Sequence, residues 1–348
     1  MRGLGFSAHG GLDKVGWVDV PPPEPGPGEV RVRVHAAAFN RLDRFVLEGI
    51  PGVPVALPHV LGSDASGVVD RVGDGVTEVV PGAEVLVNPG LWDGTCEYCR
   101  VGQESLCRNY RILGEHTQGS ATEFVVVPPR NIYAKPPAWS WAQAAAAPLV
   151  FQTAWRALRT VGDVRPGETV AIIGAGGAVA PAAIQVAHRL GARVVVVGRT
   201  AEKVERAVAL GAEAGLVVKA EKSHERLLWE WSNKRGIDVI FDSAGADTVP
   251  RSLRALARGG RLVVIGATEG PKVELDLRTL FWRQASIRGS TMASRAEFDA
   301  VYAELAGGRL RPIVDSEWDW NRGVEAFHHL GAPEVFGKVV LRTVGPSS

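Results

Sequence analysis

The chain has 348 residues, of which 46% are hydrophobic and 22% charged, with a formal net charge of +1. That length allows two domains with separate cores, while the near-neutral charge excludes an electrostatic case for nucleic acid or an anionic membrane as partner. No apolar stretch is long enough to span a bilayer, and the opening MRGLGFSAHGG lacks a signal-peptide core, so the expected location is cytoplasmic.

In chain order, residues 1 to about 150 read as short strands cut by proline and glycine. Pro21 to Gly28 (PPPEPGPG) must be loop, and Glu29 to His35 (EVRVRVH) alternates as a strand with one wet face does. Ser66 to Val72, Glu84 to Val87 and Glu123 to Val127 predict further strands, so this portion is mostly β, as in a small barrel. Within it, Cys96, Cys99 and Cys107 fall inside twelve residues and are the three cysteines of the chain. An odd, clustered set with no export signal points to metal rather than disulfides.

Past Pro136 and Pro137 the composition changes. Trp139 to Thr160 is alanine-rich and helix-prone. Thr169 to Thr200 then carries an apolar run (Val170 to Ile173), a glycine turn (Gly174, Gly176, Gly177), a helix-like segment ending at Gly191, and a second apolar run (Arg193 to Val197), with Ala178 and Val179 expected at the cofactor beside the glycines. Such a unit binds dinucleotide phosphate, because glycines admit the backbone and the helix N-terminus offers free N–H groups. Ala201 to Leu210 predicts a helix; Ile237 to Phe241, Arg261 to Ile265 and Ser286 to Arg288 predict strands. The alternation implies an α/β, doubly wound parallel sheet. Beyond about residue 292 come a helix at Arg295 to Ala306 and short strands ending in Lys338 to Arg342.

Together, PGPGEVRVRVHAAAFNRLD, LPHVLGSDASGVV, the cysteine lobe, GAGGAVAPAAIQ and VFGKVVL resemble the medium-chain dehydrogenase/reductase superfamily over nearly the whole chain. The resemblance implies a mostly-β GroES-like catalytic domain (1–150, with the cysteine lobe at about 92–108), a Rossmann domain (151–291) and a C-terminal return (292–348). It implies a homodimer or homotetramer, with the edge strand near Ser286 to Arg288 at the dimer contact.

The spacing of Asp93, Cys96, Cys99 and Cys107 is that of the family's structural zinc lobe, with aspartate in place of the first cysteine. Three sulfurs and one oxygen can close a tetrahedral zinc site. A catalytic zinc is not expected. The alcohol dehydrogenases place a cysteine ligand where this chain has Asn40 and a His-Glu pair where it has Ser63 and Asp64; their third ligand is replaced within PLVFQTAW.

Gly174, Gly177 and Ala180 show the three-residue spacing of the quinone-reductase-like branch. The second strand of the unit ends in Gly198 and Arg199 without the carboxylate that an NAD site puts on the ribose, and Arg199 with Lys203 suits a 2′-phosphate. NADPH is therefore the expected cofactor, with NADH as the alternative. Further contacts are expected from Asp242, Ser243, Gly266, Ala267, Thr268, Ser290, Met292 and Lys338.

The resemblance then implies a small-molecule reductase that delivers hydride to an activated C=C bond or a quinone, with Asn40 as hydrogen-bond donor and Thr153 near the nicotinamide. Asp43 is expected to fix the Asn40 loop. His59 and His116 lie nearest the expected cleft but receive no proton-transfer role. An alcohol dehydrogenase or carbonyl reductase, and an NADPH-binding protein without turnover, are the alternatives.

Overall fold

The alternating run predicted from Glu29 forms the nine-residue strand Val30–Ala38, around which the first unit is built. The computed structural model describes residues 1–343, and the chain divides into two units: Met1–Leu149 with the segment from Pro312, and Val150–Arg311. None of the described helices is long and apolar enough to cross a membrane.

In the first unit one sheet runs Ile132–Ala134, Glu84–Val87, Asp64–Val72, Val30–Ala38, Lys338–Arg342 and Val314–Asp319, with Phe124–Val127 also paired to Val30–Ala38. Val30, Val32 and Val34 point inward with Leu4, Phe6, Phe39, Leu61 and Phe327, all buried in one core. Each such side chain contributes about 1.5–3 kcal/mol on leaving water. Ala38 pairs with Asp64 on one side and with Val340 on the other, both antiparallel. Two residues further, this register brings Lys338 level with Asn40, at the same end of the sheet as Asp64.

The second unit carries six parallel strands in the order Ala214–Val217, Arg193–Gly198, Thr169–Ile173, Ile237–Asp242, Leu256–Val264 and Ser286–Gly289. This is the doubly wound order in which ligands lie beyond the carboxyl ends of the strands. Ala171, Ile172, Val195, Val196 and Ile240 are fully buried, because helices cover both faces of a parallel sheet.

The alanine-rich stretch is helical as expected, in three pieces: Trp141–Ala145, Pro148–Trp155 and a π-helical turn Arg156–Val161. Pro148 has no N–H to continue the first helix and starts the next one instead. The return to the first unit falls at Pro312 rather than 292. Helix Arg295–Ala306 stays with the second unit, held by ion pairs Arg156–Glu297 and Arg189–Glu304, each at 2.8 Å. Gln185 and Arg311 exchange two further hydrogen bonds at 3.0 Å.

Candidate active site and metal centre

Asn40 immediately precedes helix Arg41–Glu48, and its backbone N–H donates to Asp43 Oδ2 at 2.6 Å. The other oxygen of Asp43 accepts the N–H of Gly62 at 2.7 Å, so this fully buried carboxylate ties the loop before the helix to the loop before Asp64. Burial raises Asp43 to about 6, against the pull of those two N–H groups.

The Asn40 amide is held from both ends. Lys338 Nζ donates to Asn40 Oδ1 at 2.6 Å and to Asp64 Oδ2 at 2.7 Å, while Asn40 Nδ2 donates to the same Asp64 oxygen at 2.9 Å. The remaining Asp64 oxygen accepts the N–H of Leu149 at 2.8 Å. Lys338 and Asp64 are 1% and 0% exposed, so the ion pair exists in low dielectric with every strong acceptor of Asp64 in use. An Asn amide has two N–H donors, and one of them has no acceptor among the described residues. Ser63 Oγ, next to Asp64 in sequence, is fully buried and without a partner among the described residues.

Lys338 was expected at the cofactor; its ammonium is instead committed inside the first unit, and that expectation is withdrawn. The signal was absent from the sequence because Lys338 and Asn40 are 298 residues apart. The same ammonium bears on metal chemistry. At the two positions where the alcohol dehydrogenases carry zinc ligands stand an amide clamped by its neighbours and a serine, with a fixed positive charge 2.6 Å from the amide oxygen.

Glu115 is a residue that no sequence motif marked. It lies in the turn between Leu113 and Thr117; the neighbouring Gly114 packs on the backbone of Gly62, and its carbonyl accepts from His59 Nε2 at 3.0 Å. Burial, with the charge of Asp43 second, raises Glu115 to about 7. Its carboxyl accepts no hydrogen bond from a described residue. His116 comes within 3.8 Å through Nδ1, but that atom accepts the Ile112 N–H and has no proton to give.

In the second unit the expected cofactor residues collect where the parallel strands end. Gly174, Arg199, Ser243 and Ser290 are each the first residue beyond a strand, at the same edge. Gly174 and Gly177 have φ of +96° and +74°, and a Cβ on either would meet open space, so the turn leaves a cradle. Ala178 offers no side-chain cap to helix Val179–Arg189, leaving its first N–H groups for an anion. Lys203 lies over the turn, its Nζ 2.8 Å from where a Gly176 Cβ would be. Gly198 is required by packing, since a Cβ there would sit 2.6 Å from that of Ala175. The buried Ser290 Oγ has no partner among the described residues, and Met292 holds φ +50° nearby in sequence. These features fit a dinucleotide.

Four placements qualify that picture. Asp242, expected as a contact, is fully buried: Oδ1 accepts from Ala244 N, Gly245 N and Thr248 Oγ1, and Oδ2 accepts from Ser252 Oγ. It shapes the turn rather than facing a ligand. Thr268 donates both its backbone N–H and its Oγ1 to the Ser243 carbonyl at 3.3 Å, with Gly266 closely packed on Ser243 and Ala267 against Gly245. Arg199 is 85% exposed and pairs with Glu269 at 3.1 Å. Thr153 is buried in helix Pro148–Trp155 and belongs to the second unit, whereas Asn40 belongs to the first.

The ligand atoms of Asp93, Cys96, Cys99 and Cys107 lie within 4.8 Å of one another and could hold a metal ion. Asp93 Oδ1 accepts the N–H groups of Cys96 and Thr95, and Oδ2 accepts Asn109 Nδ2 at 2.8 Å, which together hold this carboxyl well below the usual carboxylate range. Asn109 was not foreseen; it orients the oxygen that replaces a sulfur.

Residues 26–137 match the family described as alcohol dehydrogenase GroES-like domain, and 178–307 that described as zinc-binding dehydrogenase. Acryloyl-coenzyme A reductase of Metallosphaera sedula is 33% identical over 93% of this chain and 95% of its own length. The chain belongs to the medium-chain dehydrogenase/reductase superfamily. Among solved structures, an NAD-dependent alcohol dehydrogenase is similar at TM-score 0.92 and 42% identity, covering 99% of this chain and 100% of that one. A crotonyl-CoA carboxylase/reductase is similar at TM-score 0.89 and 27% identity, covering 99% and 88%. As a member of this superfamily the protein is an oxidoreductase acting on C=C bonds or alcohols with a nicotinamide cofactor, built from a GroES-like and a Rossmann domain.

Proposed function

We propose that this medium-chain reductase transfers hydride from NADPH to the β-carbon of an alkene conjugated to a carbonyl or thioester, or to a quinone. The Asn40 amide, clamped by Lys338 and Asp64, carries this reading. Its orientation is fixed before substrate arrives, so the uncommitted N–H can donate to an oxygen that becomes an enolate, with no reorganisation cost. Alcohol oxidation instead needs an alkoxide held by a Lewis acid, for which these residues provide no ligand set. Relatives named acryloyl-coenzyme A reductase and crotonyl-CoA carboxylase/reductase support the C=C reading. The bound nicotinamide would supply the hydride; Gly174, Gly176, Gly177 and the start of helix Val179–Arg189 would hold its pyrophosphate.

Lys203 over the glycine turn, and the lack of an acid at the Arg199 position, favour NADPH. Glu269 beside Arg199, and the similar structure named NAD-dependent, favour the NADH alternative. The decisive experiment follows oxidation of NADPH and NADH with crotonyl-CoA, methyl vinyl ketone, benzoquinone and aldehydes, and reduction of NADP⁺ and NAD⁺ with alcohols. Reduction of the enone or enoyl thioester, preferentially with NADPH, supports the reading. Alcohol oxidation alone would replace it with the dehydrogenase alternative favoured by the alcohol dehydrogenase neighbours.

The same reading includes one structural zinc on Asp93, Cys96, Cys99 and Cys107, which would fix the lobe and do no chemistry. It also includes a homodimer. Leu277, Phe281 and Trp282 are 64%, 64% and 70% exposed on helix Leu277–Arg283, next in sequence to the edge strand Ser286–Gly289. An open edge beside exposed aromatics suits a second copy. Sedimentation at a mass of one chain would remove it.

A further inference from the structure

Reduction of a conjugated C=C bond needs a proton as well as a hydride, and nothing yet described supplies it. The candidates in the first unit are the titratable groups bonded to Asn40 or linked to it through Asp43, Gly62 and the Gly114 turn. Asp43 and Asp64 are fully buried and accept hydrogen bonds on both oxygens, so neither carries a transferable proton. His59 is 1% exposed and its Nε2 is spent on the Gly114 carbonyl. Lys338 is enclosed by Asn40 and Asp64. His116 accepts a backbone N–H at Nδ1 and is lowered by burial, with the charge of Arg111 adding to the shift. Glu115 differs from all of these: its carboxyl has no hydrogen-bond donor among the described residues, and its side chain keeps 12% exposure. The turn that carries it packs on Gly62, whose N–H is held by Asp43 and which precedes the unpartnered Ser63.

We propose that Glu115 is the general acid of the reaction, a role that rests on the C=C reductase reading. Hydride adds to the β-carbon, the C=C π bond breaks, and the electron pair moves onto the carbonyl oxygen to give an enolate held by the Asn40 N–H. The Glu115 O–H bond then breaks as the α-carbon takes its proton and the carbonyl re-forms. The substrate gains two electrons and the dinucleotide loses them. The Glu115 carboxylate is reprotonated from solvent through its exposed edge. A carboxyl that titrates near neutrality suits this work, because it carries the proton at the working pH and still gives it up. Asp43 and Glu115 repel each other, which keeps the proton on the more accessible of the two.

The test compares the full-length wild type with Glu115→Gln and Glu115→Asp, using NADPH with crotonyl-CoA and methyl vinyl ketone. Glu115→Gln is expected to lower kcat on the order of 100-fold with KM changed less than about threefold, the scale of one lost acid. Wild-type kcat is expected to fall above about pH 7 as the acid ionises, and the variant's residual rate to lose that step. In D₂O the wild type should place deuterium on one face of the α-carbon, and Glu115→Gln should scramble it; Glu115→Asp should restore part of the rate and selectivity. A merely structural Glu115 would leave stereochemistry and pH profile unchanged. If Glu115→Gln, folded by circular dichroism, keeps the wild-type rate, profile and deuterium placement, the role of Glu115 is overturned while the reductase reading stands. If the wild type reduces no enone or enoyl thioester, both are overturned.

Discussion

Lys338 Nζ lies 2.6 Å from Asn40 Oδ1, a contact between residues 298 positions apart that fixes the orientation of the one amide at the head of helix Arg41–Glu48. The third member, Asp64, neutralises the ammonium and takes an amide N–H. Because all three are buried, the group is costly to break from one side.

Removing the ammonium alone should show this. Lys338→Met leaves Asp64 as an uncompensated buried charge and is expected to lose about 3–5 kcal/mol of stability by urea denaturation. Lys338→Met with Asp64→Leu should recover much of that loss, since a buried pair exchanged for apolar groups costs little. Equal loss in the single and double variants would mean that the pair itself, and not the orphaned charge, stabilises the fold.

Glu115 makes stability depend on pH in a stated direction. Its folded-state value is raised to about 7, so the folded protein holds the proton more tightly than the unfolded chain does. The contribution is present in full below the ordinary glutamate value and is lost as pH rises through about 7. Glu115→Gln should therefore gain on the order of 2 kcal/mol over wild type at about pH 8 and nothing at about pH 4, read from Tm across that range. A constant Tm difference would show that burial does not hold Glu115 protonated.

For the metal centre, elemental analysis is expected to give about one zinc per chain, and Cys99→Ser to abolish it. Burial pushes the Cys99 thiol up to about 12, so it becomes a ligand only when a cation offsets that cost. Asp93→Cys should keep the metal and Asn109→Ala weaken it about tenfold or more, by loss of the oxygen's orientation. Full zinc in Cys99→Ser would place the ion elsewhere.

The glycine turn gives a separable test. Gly177→Ala puts a side chain at φ +74°, costing about 1 kcal/mol, and fills space that the phosphate approach needs. The cofactor KM is expected to rise at least about tenfold while Tm falls by only a few degrees. Arg199→Asp should lower NADPH use relative to NADH; an unchanged ratio would remove Arg199 from the preference.

Much of this was legible from the chain. The strand at Glu84–Val87, the helix at Arg295–Ala306 and the terminal strand Lys338–Arg342 were read to the residue, because alternation, caps and punctuating glycines are local signals. The four clustered metal-centre residues were legible for the same reason: their ligands are close in sequence, and only Asn109 escaped. The helix break at Pro148 was not placed, because alanine-rich composition signals helix over a stretch without locating where one helix ends and the next begins.

The sequence by itself determined the two kinds of sheet, the glycine turn, the cysteine lobe, and the loss of the zinc-type residues at Asn40 and Ser63. Tertiary structure alone decided what took their place. Sheet register brings Lys338 level with Asn40 and Asp64, and loop packing sets Gly114 on the backbone of Gly62, which brings the next residue, Glu115, within the electrostatic reach of Asp43. Neither follows from pattern, because the charge state of a buried group depends on neighbours that the chain supplies from hundreds of residues away.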